Sequence, residues 1–308
     1  MKSSALAMKR IRIRQVDAFT DKIFGGNPAG VVSTAKGLTD EEMQSIAKEM
    51  NLSETAFVLP SDKADFRIRW FTPKKEVLFC GHATVASLHV LAQEGKFGMD
   101  KDGIFNCRIE SMVGILNVDV MKEGPSTNIV LQSPPIELVP ENFKKSELTQ
   151  ALGTKESEIE DRWPVMRDRT VDYVYIPFKK LATLRNLNYD YNRLEKFGEK
   201  HEIKGFTLLT TETFEKNSNV HSRFFSPYYG IKEDPTTGSS HGPLGAYLVL
   251  NGLAKLEQGK VEIRAEQGDI IGRPGRMTVR VTRKEDGKLQ AQLISQAVTV
   301  IDGEMNLP

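Results

Sequence analysis

Three short segments of this chain recur in the same order about half a chain length later, and this repeat restricts the possible folds more than any other feature. The recurring pairs are RWFTP from Arg69 and RFFSP from Arg223 (154 positions apart), CGH from Cys80 and TGS from Thr237 (157), and RIE from Arg108 and RAE from Arg264 (156). Self-similarity at a nearly constant offset is typical of duplicated architecture. The sequence therefore predicts two copies of one domain.

Length and charge limit what such a protein can do. Its 308 residues suffice for two domains of roughly 150 each. The formal net charge of +1 provides no bulk attraction for nucleic acid or an acidic membrane surface. No apolar run approaches the roughly 18 residues of a transmembrane helix, and residues 1–10 lack the apolar stretch of a secretory signal. We therefore expect a cytoplasmic protein with no nucleic-acid or membrane partner.

Cysteine and histidine usage bears on disulfides, metals and cofactors. Only two cysteines occur, which argues against a disulfide framework. The five histidines form no HExxH motif, and neither cysteine belongs to a CxxC pair. The chain also has no Walker loop and no GxGxxG after a strand. We expect no bound metal and no nucleotide.

Apolar periodicity predicts an α+β chain. Thr39 and Glu42 have the spacing of a capping box, followed by a helix with one apolar face. Residues 83–95 and 243–251 are apolar nearly all round, as in helices buried inside a domain, and Pro243 fits a first helical turn. Surface helices are predicted at 146–152 and 191–200, and strands at 16–19, 29–33, 55–59, 66–71, 171–178 and 205–210. The predicted domains are 8–123, to which a C-terminal segment of about 296–308 can return, and 128–295, with the link at 123–126.

Each buried helix is entered through a glycine turn, at Gly81 and at Gly238. The first-turn N–H groups of a helix have no partner within it. Two such turns facing each other across a cleft would bind a carboxylate or stabilise an enolate-like oxyanion. Two ordinary core helices explain the same pattern. The duplication favours the site, because a pseudo-two-fold axis places both turns at one interface.

Three titratable residues near these turns are candidates for chemistry. Glu54 enters an apolar strand, where desolvation would raise its pKa and make it a proton shuttle, unless it is a strand-end carboxylate in water. His82 stands at a helix start, where the macrodipole disfavours the imidazolium, so it is either a neutral hydrogen-bonding ring or a packed histidine. Asp234 either forms an Asx turn before Pro235 or holds an ammonium or hydroxyl group of a substrate.

Cys80 precedes a helix N-terminus, a position that lowers the pKa of a thiol. A racemase with two catalytic thiols would need a second cysteine at the matching position of the repeat, which is Thr237. Cys107 aligns with Ile263 and is expected to pack in a strand. The sequence therefore disfavours a two-thiol mechanism.

Five segments of the chain together resemble the phenazine-biosynthesis PhzF-like family, from about Gln15 to near the C-terminus. They are DAFTDKIFGGNPAGVV, MNLSETAFVLP, FCGHAT, FFSP and EDPTTGSSHGPLGAYL. That family is similar in fold to diaminopimelate epimerase. The resemblance implies an α+β fold of two pseudo-symmetric domains, each a mixed β-sheet curled around a central helix. It also implies an active site between the domains that needs no cofactor.

The resemblance carries site residues with it. The family's catalytic glutamate falls on Glu54, its substrate-contacting histidine on His82 and its aspartate on Asp234. The predicted substrate-binding residues are Gly81, Gly238, Ser239, Ser53 and Asn27, of which the two glycines offer backbone donors to a carboxylate.

These observations predict a cofactor-independent isomerase that moves a proton on a small amino or hydroxy carboxylic acid resembling dihydro-hydroxyanthranilate, with Glu54 as general acid and base. An amino-acid racemase or epimerase, and a non-catalytic metabolite-binding protein of the same fold, are the alternatives. Because members of the family resemble homodimers, the predicted partners are a small carboxylic acid and a second copy of the chain.

Overall fold

The structure, a computed structural model, describes residues 9–308, so the predicted domain start at residue 8 lies outside it. The described chain forms two compact units. Unit 1 contains residues 9–24, 28–130 and 296–308, and unit 2 contains residues 25–27 and 131–295. None of the helices between residues 9 and 308 has the length and apolar character needed to cross a bilayer.

Six α-helices and eighteen strands make up the described chain, with short 3₁₀ turns at 96–98, 156–158, 227–229 and 269–271. The first part runs β1 (Lys9–Ala18), β2 (Asn27–Val32), α1 (Asp40–Met50), β3 (Glu54–Leu59), β4 (Phe66–Phe71), β5 (Glu76–Val77), α2 (Gly81–Gln93), β6 (Gly103–Ser111), β7 (Gly114–Glu123) and β8 (Ser126–Gln132). The remainder runs β9 (Leu138–Pro140), α3 (Lys145–Leu152), β10 (Met166–Asp168), β11 (Tyr173–Pro177), α4 (Leu181–Asn186), α5 (Tyr191–His201), β12 (Gly205–Thr210), β13 (Val220–Ser226), β14 (Ile231–Asp234), α6 (Gly238–Leu250), β15 (Lys260–Gln267), β16 (Gly275–Arg283), β17 (Leu289–Ser295) and β18 (Ala297–Leu307).

The two units repeat one pattern of strand pairing. In unit 1, β2–β3 and β4–β6 are parallel, whereas β3–β4, β4–β5 and β6–β7 are antiparallel. In unit 2, β11–β12 and β13–β15 are parallel, whereas β12–β13, β13–β14 and β15–β16 are antiparallel. The sequence repeat thus corresponds to a repeated succession of paired strands, with a thirteen-residue helix at the same place in each unit.

Helix α1 shows why local sequence determines some elements. The Thr39 hydroxyl accepts from the backbone N–H of Glu42 at 3.2 Å, and the Glu42 carboxylate accepts from the backbone N–H of Thr39 at 2.8 Å. Met43, Ile46 and Ala47 form its buried face. The helix ends at Asn51, whose left-handed backbone (φ +50°) stops propagation. The predicted capping box and apolar face are confirmed.

The two buried helices lie against the sheet of their own unit. Helix α2 packs on β1, β3, β7 and β18, and helix α6 packs on β9, β11, β16 and β17. Residues 83–92 of α2 and 240–248 of α6 are buried without interruption. Because these helices are covered all round, they contain few charged residues and no polar face.

Helix α6 begins earlier than predicted. It starts at Gly238, so Pro243 is its sixth residue and not part of the first turn. Proline there removes the N–H that would bond the carbonyl of Ser239. Tight packing compensates for that loss: a Cβ on Gly245 would lie 2.6 Å from Val279 Cγ1. The helix backbone therefore lies directly on strand β16.

The predicted domain link is part of the secondary structure. Residues 124–125 form a turn between β7 and β8, with Gly124 at φ +54°, and unit 1 continues to Val130. Residues 296–308 fall in unit 1, where β18 pairs antiparallel with β1. Residues 25–27, in contrast, belong to unit 2 although both chain neighbours belong to unit 1.

Candidate active site

Glu54 and His82 form a close contact in unit 1. Glu54 is the first residue of β3, and His82 is the second residue of α2. Glu54 Oε2 lies 3.2 Å from His82 Nε2, and the two side chains are 19% and 11% exposed. The exposed fraction leaves both groups within reach of a small molecule, while most of the water around them is excluded.

Two more polar side chains adjoin this pair. The Cys80 sulfur lies 3.4 Å from His82 Nδ1, and the Ser53 hydroxyl lies 3.3 Å from His82 Nε2. Cys80 is the N-cap of α2, but its side chain makes no capping bond. The first intrahelical bond comes from the N–H of Thr84 to the carbonyl of Cys80 at 3.1 Å, so the helix does not use the amides of Gly81 and His82. Four predicted site residues, Ser53, Glu54, Gly81 and His82, therefore lie together.

The ionisation of the pair differs from the sequence expectation. Burial raises the pKa of Glu54, as predicted, but the hydrogen bond and charge of His82 outweigh it, and the pKa ends below its usual 4.5. Burial likewise opposes the charged ring of His82, but the hydrogen bond and charge of the ionised Glu54 raise its pKa above 6.5. Glu54 is thus ionised at neutral pH, and its contact favours the imidazolium form of His82. This contact opposes the macrodipole effect, which favours the neutral ring.

Cys80 also departs from expectation. Burial, aided by the charge of Glu54, raises the pKa of its thiol to about 11. Position at a helix N-terminus lowers a thiol pKa only where the sulfur is solvated or faces a cation that is not already neutralised. Here the imidazolium of His82 is paired with Glu54, so Cys80 stays protonated near neutral pH.

Asp234 is held by three polar side chains within unit 2. Its Oδ1 accepts from the Asn27 amide at 2.9 Å, and its Oδ2 accepts from the Thr237 hydroxyl at 2.5 Å. Gln267 donates to the carbonyl of Asp234 at 2.7 Å and to the Thr237 hydroxyl at 3.1 Å. Asn27 is 2% exposed and also donates to the carbonyl of Thr236. Asp234 and Asn27, both predicted site residues, are therefore directly bonded.

The start of α6 completes the set in unit 2. Gly238 is its first residue, and Thr237, its N-cap, makes no capping bond because its hydroxyl is bonded to Asp234. The hydroxyl of Ser239 lies 3.4 Å from the phenol oxygen of Tyr173, and burial raises the pKa of that phenol to about 12. Ser239 remains partly exposed.

Sequence reasoning did not select Tyr173, Thr237 or Gln267 as site residues. A signal existed for Thr237, since it is the counterpart of Cys80 in the repeat. Gln267 follows the recurring RAE segment at Arg264 directly. Nothing local marks Tyr173, which reaches Ser239 only through the pairing of β11 with β12 and the packing of α6 on β11.

The chain is similar to known proteins over nearly its whole length. A sequence profile of the family described as "Phenazine biosynthesis-like protein" matches residues 16–303. An uncharacterized isomerase of Clostridium acetobutylicum is 36% identical over 305 residues, which cover 97% of this chain and 99% of the relative. The uncharacterized isomerase YddE of Escherichia coli K12 is 35% identical over 298 residues, covering 95% and 97%.

Solved structures agree with these relatives. A phenazine biosynthesis protein of the PhzF family from Bacillus anthracis superposes with a TM-score of 0.87 at 33% identity, covering 97% of this chain and 99% of that one. A hydroxyproline epimerase from Agrobacterium vitis superposes with a TM-score of 0.57 at 12% identity, covering 97% and 93%. At that identity the likeness concerns the fold alone. The predicted α+β, epimerase-like fold class is confirmed.

Proposed function

Since the chain belongs to the phenazine biosynthesis-like family, and is therefore an isomerase, we propose that it moves a proton on a small amino or hydroxy carboxylic acid with Glu54 as general acid and base. The observation that carries this proposal is the 3.2 Å contact between Glu54 and His82 in a largely buried setting. An ionised carboxylate can accept a proton from carbon, and a neighbouring cationic donor can stabilise the negative charge that then develops.

The proton transfer follows from the ionisation states of the pair. The Glu54 carboxylate takes a proton from a carbon of the substrate, and the electron pair of the broken C–H bond spreads into the adjacent unsaturated or carboxylate group. Glu54 then returns the proton to another carbon of that system. The imidazolium of His82 stabilises the negative charge that develops, and the amides at the start of α2 hold the substrate carboxylate.

We also propose Asp234 as a residue that contacts a polar group of the substrate, as the family resemblance implies. The bonds from Asn27 and Thr237 each hold one oxygen of its carboxylate. Fixed on both sides, this carboxylate needs little reorganisation when a substrate binds.

Racemisation or epimerisation is the second candidate. It is favoured by one observation: the Cys80 sulfur lies 3.4 Å from His82 Nδ1, beside the proposed base. A two-base mechanism would need a partner at Thr237, whose hydroxyl instead donates to Asp234 and accepts from Gln267. We therefore place the isomerase first. The configuration of the product separates the two, because an epimerase returns the proton to the original carbon.

Deuterium uptake from heavy water, read by mass spectrometry, tests the proposal. The substrates are dihydro-hydroxyanthranilate, diaminopimelate, proline and other amino acids. Glu54→Gln should lower the exchange rate by about 10²–10⁴ with an unchanged circular dichroism spectrum. Glu49→Gln, an exposed glutamate of α1, should exchange like the wild type. Wild-type rates in Glu54→Gln would contradict the assignment of the base.

Two further parts of the proposal concern assembly and cofactors. We propose a homodimer, which light scattering after size exclusion tests as a mass of two chains. We also propose that turnover needs no cofactor, so extensive dialysis against a chelator should leave the exchange rate undiminished. A rate that falls on dialysis and returns with an added metal would contradict cofactor independence. Location in the cytoplasm stays a prediction.

A further inference from the structure

The proposed acid–base pair and the neighbouring Cys80 have the side-chain types of a metal site. Glu54, Cys80 and His82 each offer one ligand atom, and these three atoms lie within 4.8 Å of one another. The ligands come from two segments, the start of β3 and the start of α2. No short sequence motif contains them, so a search for metal-binding spacings misses the group.

Their spacing is close to that of a tetrahedral zinc ion. With bonds of about 2.3 Å to sulfur and about 2.0–2.1 Å to nitrogen or oxygen, the ligand atoms of such an ion are about 3.3–3.6 Å apart. His82 Nε2 lies 3.2 Å from Glu54 Oε2 and 3.8 Å from the Cys80 sulfur. The sulfur also lies 3.4 Å from Nδ1, so a turn of the imidazole ring is needed to direct Nε2 between the other two ligand atoms.

The chemistry of the donors selects the metal. One thiolate, one imidazole and one carboxylate suit a borderline-soft ion such as Zn²⁺, whereas Mg²⁺ and Ca²⁺ require sets of oxygen ligands. Thiolate and carboxylate together carry two negative charges, which outweigh the unfavourable effect of a helix N-terminus on a cation. Three protein ligands leave the fourth position open for water or a substrate carboxylate.

Residues 9–308 contain one other group of this kind, His221, Glu266 and Asp269, and it differs in two respects. Asp269 already accepts two hydrogen bonds from the Arg276 guanidinium, at 2.7 and 3.0 Å. Glu266 accepts from two backbone N–H groups, at 2.8 and 2.7 Å. Its carboxylates therefore already accept strong hydrogen bonds within the fold, and it has no thiol. Of these two groups, the one in unit 1 alone has a soft donor.

We propose that Glu54, Cys80 and His82 form a binding site for Zn²⁺ and that the bound ion prevents Glu54 from transferring protons. On binding, the S–H bond of Cys80 breaks as the S–Zn bond forms, and the thiol proton passes to solvent, as does the proton of the imidazolium. The second part rests on the proposed function, because zinc then occupies the carboxylate that acts on carbon. The ion is thus an inhibitor and not a cofactor.

Cobalt titration of the untagged, metal-free protein tests the site without a substrate. Co²⁺ should produce a thiolate-to-metal charge-transfer band and the ligand-field bands of a tetrahedral ion, at one ion per chain, and Zn²⁺ should displace it. Cys80→Ser should lose the charge-transfer band, and Cys107→Ser, the matched control in β6, should keep it. A band that persists in Cys80→Ser, that disappears in Cys107→Ser, or that never forms would overturn the proposal.

X-ray absorption on the zinc-loaded wild type provides a measurement that needs no variant. The expected shell is one sulfur at about 2.3 Å with nitrogen or oxygen neighbours at about 2.0–2.1 Å, and a shell without sulfur would overturn the site. For inhibition, Zn²⁺ should lower deuterium exchange in parallel with its occupancy of the site. Full occupancy with undiminished exchange would overturn the inhibition alone, whereas no exchange in metal-free protein would instead count against the proposed function.

Discussion

The side-chain amide of Asn27 donates to Asp234 Oδ1 over 2.9 Å, although 207 positions separate the two residues in the chain. The bond is possible because residues 25–27 belong to unit 2, as Asp234 does. Arg273 stabilises the placement of residues 25–27 in unit 2 by donating to the carbonyls of Gly25 and Gly26, at 2.6 and 3.0 Å. Asn27 thereby acts first as a support for Asp234.

Asn27→Ala should therefore both destabilise the protein and lower its activity. The substitution leaves the carbonyl of Thr236 and one oxygen of Asp234 without this buried donor, which costs about 1–3 kcal/mol of the free energy of unfolding. Urea denaturation measures that cost, and the exchange assay measures the change in activity. Asn106→Ala is the control, since its amide bonds Asp119 at the exposed surface. Equal effects at the two positions would contradict the supporting role of Asn27.

The ion pair of Glu54 and His82 predicts how stability depends on pH. A carboxyl pKa below 4.5 contributes stability that is present above about pH 4.5 and is lost as the pH falls through the folded-state pKa. An imidazole pKa above 6.5 contributes stability that is present below about pH 6.5 and is lost as the pH rises through the folded-state pKa. The stability difference between wild type and His82→Gln should therefore be largest between pH 4.5 and 6.5. Urea midpoints over a pH series measure it, and a difference independent of pH would show that the contact is not ionic.

Thr237→Val tests whether the Thr237 hydroxyl orients Asp234. The variant keeps the shape of the side chain but removes the hydroxyl that donates to Asp234 at 2.5 Å and accepts from Gln267 at 3.1 Å. We expect a loss of about 1–3 kcal/mol in the free energy of unfolding, together with a lower kcat. The exposed Thr282→Val in β16 should stay within about 0.5 kcal/mol of wild type. Unchanged turnover in Thr237→Val would remove Thr237 from the site.

Gly245→Ala tests the close approach of α6 to its sheet. The added Cβ would lie 2.6 Å from Val279 Cγ1 and 2.9 Å from Val281 Cγ2. Overpacking of this kind costs about 1–3 kcal/mol, which exceeds the roughly 0.5–1 kcal/mol that alanine gains over glycine in a helix. Thermal unfolding should show a lower Tm for Gly245→Ala. Gly303→Ala, where no atom lies within 4 Å of the added carbon, should unfold at or above the wild-type temperature.

Features that depend on neighbouring residues were predictable from the sequence. The capping box of Thr39, the end of α1 at Asn51 and the strand from Phe66 to Phe71 all appear as expected, because each rests on contacts within a few positions. The sequence repeat added one long-range prediction, because it indicated that α2 and α6 are equivalent helices. The start of α6 was misjudged, because a proline usually marks a first turn and here it lies within a helix held by tertiary packing.

The electrostatics of the site depend on distant residues and could not be predicted in the same way. The pKa of Glu54 was expected to rise, because burial was the only influence visible from its own strand. Its 3.2 Å contact with His82, 28 positions later, reverses the direction. The bond of Asn27 to Asp234 is likewise a product of the tertiary fold. The sequence thus indicated which residues belong to the site but not their protonation states.

The pairing of β1 with β18 has a consequence for biosynthesis. Lys9 lies opposite Leu307 and Ala18 opposite Ala297, so the sheet of unit 1 joins the first described strand to the last. Apart from residues 25–27, unit 2 is the continuous segment 131–295, so a ribosome completes unit 2 before it synthesises β18. Until β18 has been synthesised, the edge of β1 that pairs with it is open, the kind of surface on which nascent chains aggregate. Pairing Ala18 with Ala297 closes a loop of about 280 residues, and such non-local contacts form slowly because the loop entropy is lost first.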